Sequence, residues 1–242
     1  MSEPGYALIL DAPATPLGGV ALSLIRLGID VLYANDPHEA SLLCVQPDAE
    51  FVRALVVAEE VPVEALRSLR SRLDRRRGRP PVGLVVVGRL SDEASCAALA
   101  KEGVRHVLRP PFDPGILRWM VNVAMKPEDE RLRTQPRVPT SLLARVSDGE
   151  RSKDMVVTNL SIGGAFLETP FPQPIGTRLE VEISLPNGDI RAAGLVGYRR
   201  EPGDAKGPSF PSGLGLVFEP LERDSAECLA AFVERMERHF SL

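Results

Sequence analysis

Val82-Gly83-Leu84-Val85-Val86-Val87 is a run without a polar side chain, preceded by Pro80-Pro81 and closed by Gly88. Its valines are β-branched and favour extended backbone. A strand that is apolar on both faces belongs in a sheet covered on both sides. Shorter strand-like runs recur at Ala7-Leu8-Ile9-Leu10, Asp30-Val31-Leu32-Tyr33, Ala54-Leu55-Val56-Val57 and Val104 to Leu108. Between them lie stretches of helical spacing. These are Leu17 to Leu27, stopped by Gly28; Pro37 to Val45; Pro62 to Leu73; Ser91 to Glu102, with Ser91 as N-cap and Gly103 as stop; and Pro114 to Met125, capped by Asp113. Five βα units in succession predict an α/β doubly wound, flavodoxin-like domain with five parallel strands over residues 1–125.

The pattern then changes. Lys126-Pro127-Glu128-Asp129-Glu130-Arg131 is charged and irregular, and residues 126–140 read as a linker. Beyond it, Leu179-Glu180-Val181-Glu182-Ile183 alternates apolar and charged residues, which puts one strand face inward and the other in water. Further β-rich runs fall at Leu142–Val146, Met155–Leu160, Ala165–Glu168, Leu179–Leu185, Ile190–Tyr198 and Leu214–Phe218. Turn residues separate them at Asp148-Gly149, Gly163-Gly164 and Pro186-Asn187-Gly188. Asp224 is placed to cap a last amphipathic helix running to Phe240. Residues 141–242 therefore predict an all-β, six-stranded antiparallel barrel with a C-terminal helix packed on it.

Hydrophobic side chains make up 44% of the 242 residues, enough to fill two cores. A net charge of −4 argues against nucleic acid as a partner. Cys44, Cys96 and Cys228, like His38, His106 and His239, are scattered without metal-ligand spacing, so no metal site is expected. Met1-Ser2-Glu3-Pro4 lacks the basic start and apolar core of a signal peptide, and no apolar run has the length of a membrane span. A cytoplasmic protein without membrane insertion is expected. No nucleophile–base arrangement and no G-x-x-x-x-G-K loop stands out, so neither enzymatic activity nor a cofactor is expected.

Two short clusters carry the chemistry. Arg133-Thr134-Gln135-Pro136-Arg137 places two arginines four apart, and Asn159-Leu160-Ser161-Ile162-Gly163-Gly164 follows at the end of an apolar run. Guanidinium groups form paired hydrogen bonds with phosphate oxygens or with guanine O6 and N7, and they stack on bases. Asn159 and Ser161, two apart on a strand, point the same way and offer an amide and a hydroxyl. Gly163 and Gly164 permit positive φ and close approach to the backbone. The order R-x-x-x-R then N-x-S-x-x-G resembles the PilZ domain, as do Val138-Pro139, Ala165-Phe166-Leu167 and Gly213-Leu214-Gly215-Leu216-Val217-Phe218.

That resemblance covers about residues 130–240 and implies a receptor for cyclic di-GMP, with Arg133, Arg137, Asn159, Ser161, Gly163 and Gly164 at the ligand. In that family the residue before R-x-x-x-R bears on ligand number, and an apolar one goes with a single ligand. Leu132 therefore implies one cyclic di-GMP per domain. Regulation of motility, surface behaviour or exopolysaccharide through a protein partner is the implied output. The alternative is a nucleotide-independent adaptor that works through protein contacts alone. Arg199 and Arg200, at the end of the long fifth strand, read as outward, solvent-facing charge, with a part in holding the ligand as the alternative.

The N-terminal half resembles a response-regulator receiver domain in its βα pattern and in Pro62 and Arg109-Pro110. Such domains take a phosphoryl group on an Asp at the end of the third strand, with acids, a hydroxyl and a Lys around it. Here Ala58 stands at the phosphoacceptor position, Ala12 follows the remaining Asp11, Gly88 replaces the hydroxyl and Arg109 the Lys. An alanine is no nucleophile and one carboxylate is a poor Mg²⁺ site, so a pseudo-receiver is expected. Homodimerisation through either domain is open; in the receiver-like one the surface would be Ser91–Glu102 and Pro114–Met125. The Arg67, Arg70, Arg72, Arg75, Arg76, Arg77, Arg79 run reads as a solvated helix face and loop, with a docking patch for an acidic partner as the alternative.

Overall fold

The structure is a computed structural model that describes residues 5–75, 81–126, 135–202 and 211–242. The described residues fall into two compact units, 5–126 with Phe240–Leu242 in the first and 135–202 with 211–239 in the second.

The first unit alternates strand and helix: β1 Tyr6–Leu10, α1 Gly18–Arg26, β2 Asp30–Ala34, α2 Pro37–Leu43, β3 Val52–Ala58, α3 Val63–Asp74, β4 Gly83–Val87, α4 Glu93–Lys101, β5 His106–Leu108 and α5 Pro114–Met125. All pairings are parallel, in the order β2-β1-β3-β4-β5, which is the flavodoxin-like arrangement. Apolar continuity explains the burial. Leu8, Ile9, Leu55, Val56, Val85 and Val86 are fully enclosed. On α3 the sequence presents Leu66, Leu69 and Leu73 at helical spacing, and all three are buried. Each such leucine contributes about 1.5–3 kcal/mol.

Local chemistry differs from expectation at a few points. Asp92, not Ser91, caps α4, accepting from Ser95 N at 2.7 Å; a carboxylate outcompetes a hydroxyl at a helix N-terminus because the dipole adds to the hydrogen bond. Pro62 occupies the N-cap of α3 itself. A 3₁₀ turn at Pro47–Phe51 leads into β3. Asp113 caps α5 as its sequence suggests, accepting from Gly115 N at 2.6 Å. Gly28 and Gly103 stop their helices with φ of +76° and +82°.

The second unit consists of β6 Val138–Ser147, β7 Ser152–Ser161, β8 Gly164–Glu168, β9 Arg178–Leu185, β10 Gly188–Arg200, β11 Gly213–Phe218 and α6 Arg223–Phe240. The six strands form a closed antiparallel barrel in the order β10-β11-β8-β7-β6-β9, with β9 returning to β10. Val146, Val157, Leu160, Leu167, Val181, Ile183, Val196, Leu214 and Leu216 fill the interior, and Leu229, Phe232 and Val233 of α6 join the same core. Asp224 lies inside the first turn of α6, where it favours the helix dipole without being the cap. Asp148 Oδ1 accepts from Glu150 N and Arg151 N at 3.1 and 2.9 Å, closing the β6–β7 turn.

Candidate functional site

Strand pairing brings the two polar clusters together. Val138 pairs with Leu160 and Pro139 with Asn159. One residue beyond the first pair, at the same end of β6 and β7, stand Arg137 and Ser161. Gln135, between the two arginines of the motif, reaches the β7–β8 turn. A methyl group on Gly163 would come within 2.5 Å of its Oε1. Arg133 and Leu132 lie outside the described residues.

Irregular register decides which way Asn159 points. The β7–β8 ladder steps from Val157↔Leu167 to Asn159↔Phe166, with Thr158 as the extra residue. Val157 and Leu160 are both fully buried in the core. Asn159 therefore faces the outside of the barrel, half-buried, where strict alternation from Val157 would have aimed it inward. Ser161 is on the same outer side and only 4% exposed. Its hydroxyl donates to the Gly164 carbonyl at 3.2 Å, which leaves oxygen lone pairs to accept a further bond.

Of the two uses their sequence suggests for the glycines, positive φ is not the one adopted. Ile162 and Gly163 form the turn, and Gly164 opens β8. Neither glycine has positive φ. What they supply is bareness. The Gln135 side chain takes the space beside Gly163, and the Leu216 carbonyl takes the space beside Gly164.

The outer row of Asn159 continues across the sheet. Asn159 pairs with Phe166, Phe166 with Gly215, and Gly215 with Tyr198. A second irregularity, at Gly197, separates inward Val196 from outward Tyr198. Phe166 and Tyr198 stack at 5.9 Å and 26°. The guanidinium of Arg200 lies 5.5 Å from the Phe166 ring centre, and its Nη1 donates to the Pro211 carbonyl at 3.4 Å. Arg200 is thus half-buried against an aromatic ring, not simply solvent-facing as its sequence suggests. Arg199 pairs with Glu201 at 3.1 Å. Phe166, Tyr198 and Arg200 were the members of this surface that alternation alone did not reveal.

The PilZ domain profile matches residues 131–235, a span that contains both polar clusters and five complete strands of the barrel besides β11. Residues 131–235 are a PilZ domain. Similar solved structures include the PilZ domain of YcgR from Escherichia coli with c-di-GMP (19% identity, 45% of this chain and 93% of that one, TM-score 0.36). Another is the inhibitor of motility MotI/DgrA from Bacillus subtilis (16% identity, 44% of this chain and 52% of that one, TM-score 0.39). A response regulator receiver protein from Pseudomonas putida is also similar (23% identity, 50% and 98% covered, TM-score 0.41). The chain spans about half the length of MotI/DgrA. No curated protein sequence matches it.

In the α/β unit, Ala58 ends β3 and is 1% exposed. Asp11 is fully engaged. Its Oδ1 accepts from Ala12 N and Leu17 N at 2.7 and 2.8 Å, and its Oδ2 accepts from Tyr33 Oη. That bond, with burial and the charge of Asp11, raises the Tyr33 phenol to about 12. Glu59 packs its side chain where a residue larger than Gly88 would sit and accepts from Leu90 N at 2.7 Å. Of the arginine run, Arg67 binds Glu102 at 2.6 Å and Arg70 binds Asp74 at 3.3 Å, while Arg76, Arg77 and Arg79 lie outside the described residues. Among the described residues no group of His, Cys, Asp or Glu is placed to hold a metal ion, and no helix is long and apolar enough to cross a membrane.

Proposed function

We propose that the chain is a non-enzymatic cyclic di-GMP receptor whose ligand lies on the outer face of the PilZ barrel. The observation that carries this reading is the meeting of the two motifs at one end of β6 and β7. There Val138↔Leu160 pairing sets Arg137 across from Ser161, and Gln135 lies over Gly163. The ligand's phosphates and guanines suit what is gathered there. Arg137, with Arg133 before it, supplies forked donors to phosphate or to a guanine edge. Asn159 supplies an amide facing outward, Ser161 holds the turn and offers acceptor lone pairs, and Gly163 and Gly164 keep side chains out of the way.

The arginine motif is also part of the covalent connection between the α/β unit and the barrel. Drawing it onto the barrel changes what the connected units offer to a protein partner. The α/β unit acts in this scheme as a receiver-like domain that takes no phosphoryl group, so the nucleotide is the input.

Calorimetric titration of the purified chain with cyclic di-GMP tests the proposal. Saturable binding at one ligand per chain, lost in Arg137→Ala, is expected. Absence of binding by the folded wild-type chain would overturn the receptor reading in favour of an adaptor, and two ligands per chain would overturn the role given to Leu132.

A further inference from the structure

We infer that the α/β unit holds a binding site of its own, for a small organic carboxylate, in a notch between β4 and β5. The site is independent of the nucleotide reading. The notch follows from register. His106, the first residue of β5, pairs with Val85, so Gly83 and Leu84 have no partner residue on that strand. Beside them lies a cavity of about 110 Å³. An engineered cavity of roughly 150 Å³ holds benzene, so this one suits an ion of about four to six heavy atoms. It opens at the N-terminal rim of the parallel sheet, opposite the rim where Ala58 ends β3.

The walls divide by chemistry. Val82, Leu84 and Val123 are apolar, while Arg70, Arg105 and His106 bring nitrogen donors. Among the described residues no acid lines the cavity. The acids nearby are committed elsewhere: Asp74 accepts from Val82 N at 2.8 Å, and Glu102 binds Arg67 at 2.6 Å. Arg70 is held in position. Its Nη1 donates to the Glu102 carbonyl at the end of α4. A methyl group on Gly103 would come within 2.9 Å of that nitrogen, so the bare backbone there makes room for the guanidinium. Arg70 Nε is enclosed and makes no hydrogen bond among the described residues, although Asp74 Oδ2 stands 3.3 Å away. An enclosed donor in that state favours a further acceptor beside it. A short-chain carboxylate meets these walls: its two oxygens match the planar forks of Arg70 and Arg105, and its carbons lie against Val82, Leu84 and Val123.

The test follows the backbone amide NMR signals of the full chain as sodium propionate is added, against sodium chloride at the same ionic strength. Wild type, Arg105→Gln and Val123→Phe are compared, each checked for folding by thermal melting. Arg105→Gln removes a guanidinium from the exposed edge of the cavity, and Val123→Phe fills its interior. Saturable movement of the Leu84 and Gly103 amides with propionate alone is expected, half-complete at roughly 1 mM. Affinity should fall about tenfold in Arg105→Gln, and the movement should vanish in Val123→Phe. Movement that chloride reproduces, that does not saturate, or that falls elsewhere on the chain overturns the site. So does propionate binding in both variants equal to that of wild type. Should Val123→Phe fail to fold, Arg105→Gln against wild type decides the matter alone, since its side chain is exposed. Cyclic di-GMP binding plays no part in any of these outcomes, so the receptor reading and this site stand or fall separately.

Discussion

The phenol of Tyr33 donates its hydrogen bond to Asp11, the one acid left after β1 at the head of the sheet. Two backbone N–H groups occupy the other carboxylate oxygen. A carboxylate so occupied ties the β1–α1 loop to β2 and has little left to offer a cation. Ala58, enclosed at the end of β3, carries no nucleophilic group, and among the described residues no group of His, Cys, Asp or Glu is placed to hold a metal ion. Incubation with a small-molecule phosphodonor and Mg²⁺ is expected to give no labelling, read by intact mass. Stoichiometric phosphorylation would overturn this.

The same bond predicts a pH response. The folded phenol titrates near 12 against 10 for the ordinary group, mainly because of the bond to Asp11. The protonated form is favoured by folding, so this contribution is complete below pH 10 and disappears as pH rises towards 12. Tyr33→Phe is expected to lower the urea midpoint at pH 8 and to flatten the wild-type decline above pH 10. Parallel curves for the two proteins would remove the bond's energetic role.

His106 behaves in the opposite sense. Burial, assisted by the neighbouring Arg105 charge, pushes its imidazole from 6.5 down to about 4, and its ring meets Trp119 edge-on at 6.3 Å. Folding favours the neutral ring. Its contribution is complete above pH 6.5 and is lost progressively as pH falls towards 4, because the unfolded chain takes the proton first. His106→Gln is expected to reduce the fall in urea midpoint between pH 7 and 4.5, measured against wild type in the same buffers.

Gly163 and Gly164 are neighbours with different obstacles. Beside Gly163 is the end of a glutamine side chain, which can move; beside Gly164 is the backbone carbonyl of Leu216, which cannot without disturbing β11. Gly164→Ala is expected to cost about 1–3 kcal/mol and to lower the melting temperature clearly. Gly163→Ala should melt close to wild type while weakening cyclic di-GMP binding through displacement of Gln135. Equal melting of the two variants would show that the barrel yields at β11.

Much of this architecture is readable in the chain because its causes are local. Unbroken valine runs, the Gly28 and Gly103 stops and the strict alternation of Leu179 to Ile183 each report one neighbourhood. The outer face of the barrel is less readable. Thr158 and Gly197 insert single residues into ladders that otherwise alternate, and a one-residue slip reverses every side chain after it. Counting from Val157 or Val196 therefore aims Asn159 and Tyr198 at the core, when both face outward. Arg200 belongs with Phe166 only because β8 and β10 flank the bare strand β11, a relation between positions 34 residues apart. Gly163 and Gly164 look like turn glycines because the close neighbours that require them, Gln135 and Leu216, are distant in sequence or on another strand.

Closure of the barrel has a consequence for recognition. Each of its strands has a neighbour on either side, so the barrel offers no full-length edge to which an incoming peptide could zip as an added strand. Whatever protein reads this barrel must grip it by side chains on its outer wall. A nucleotide lying on that wall would then become part of the surface being read.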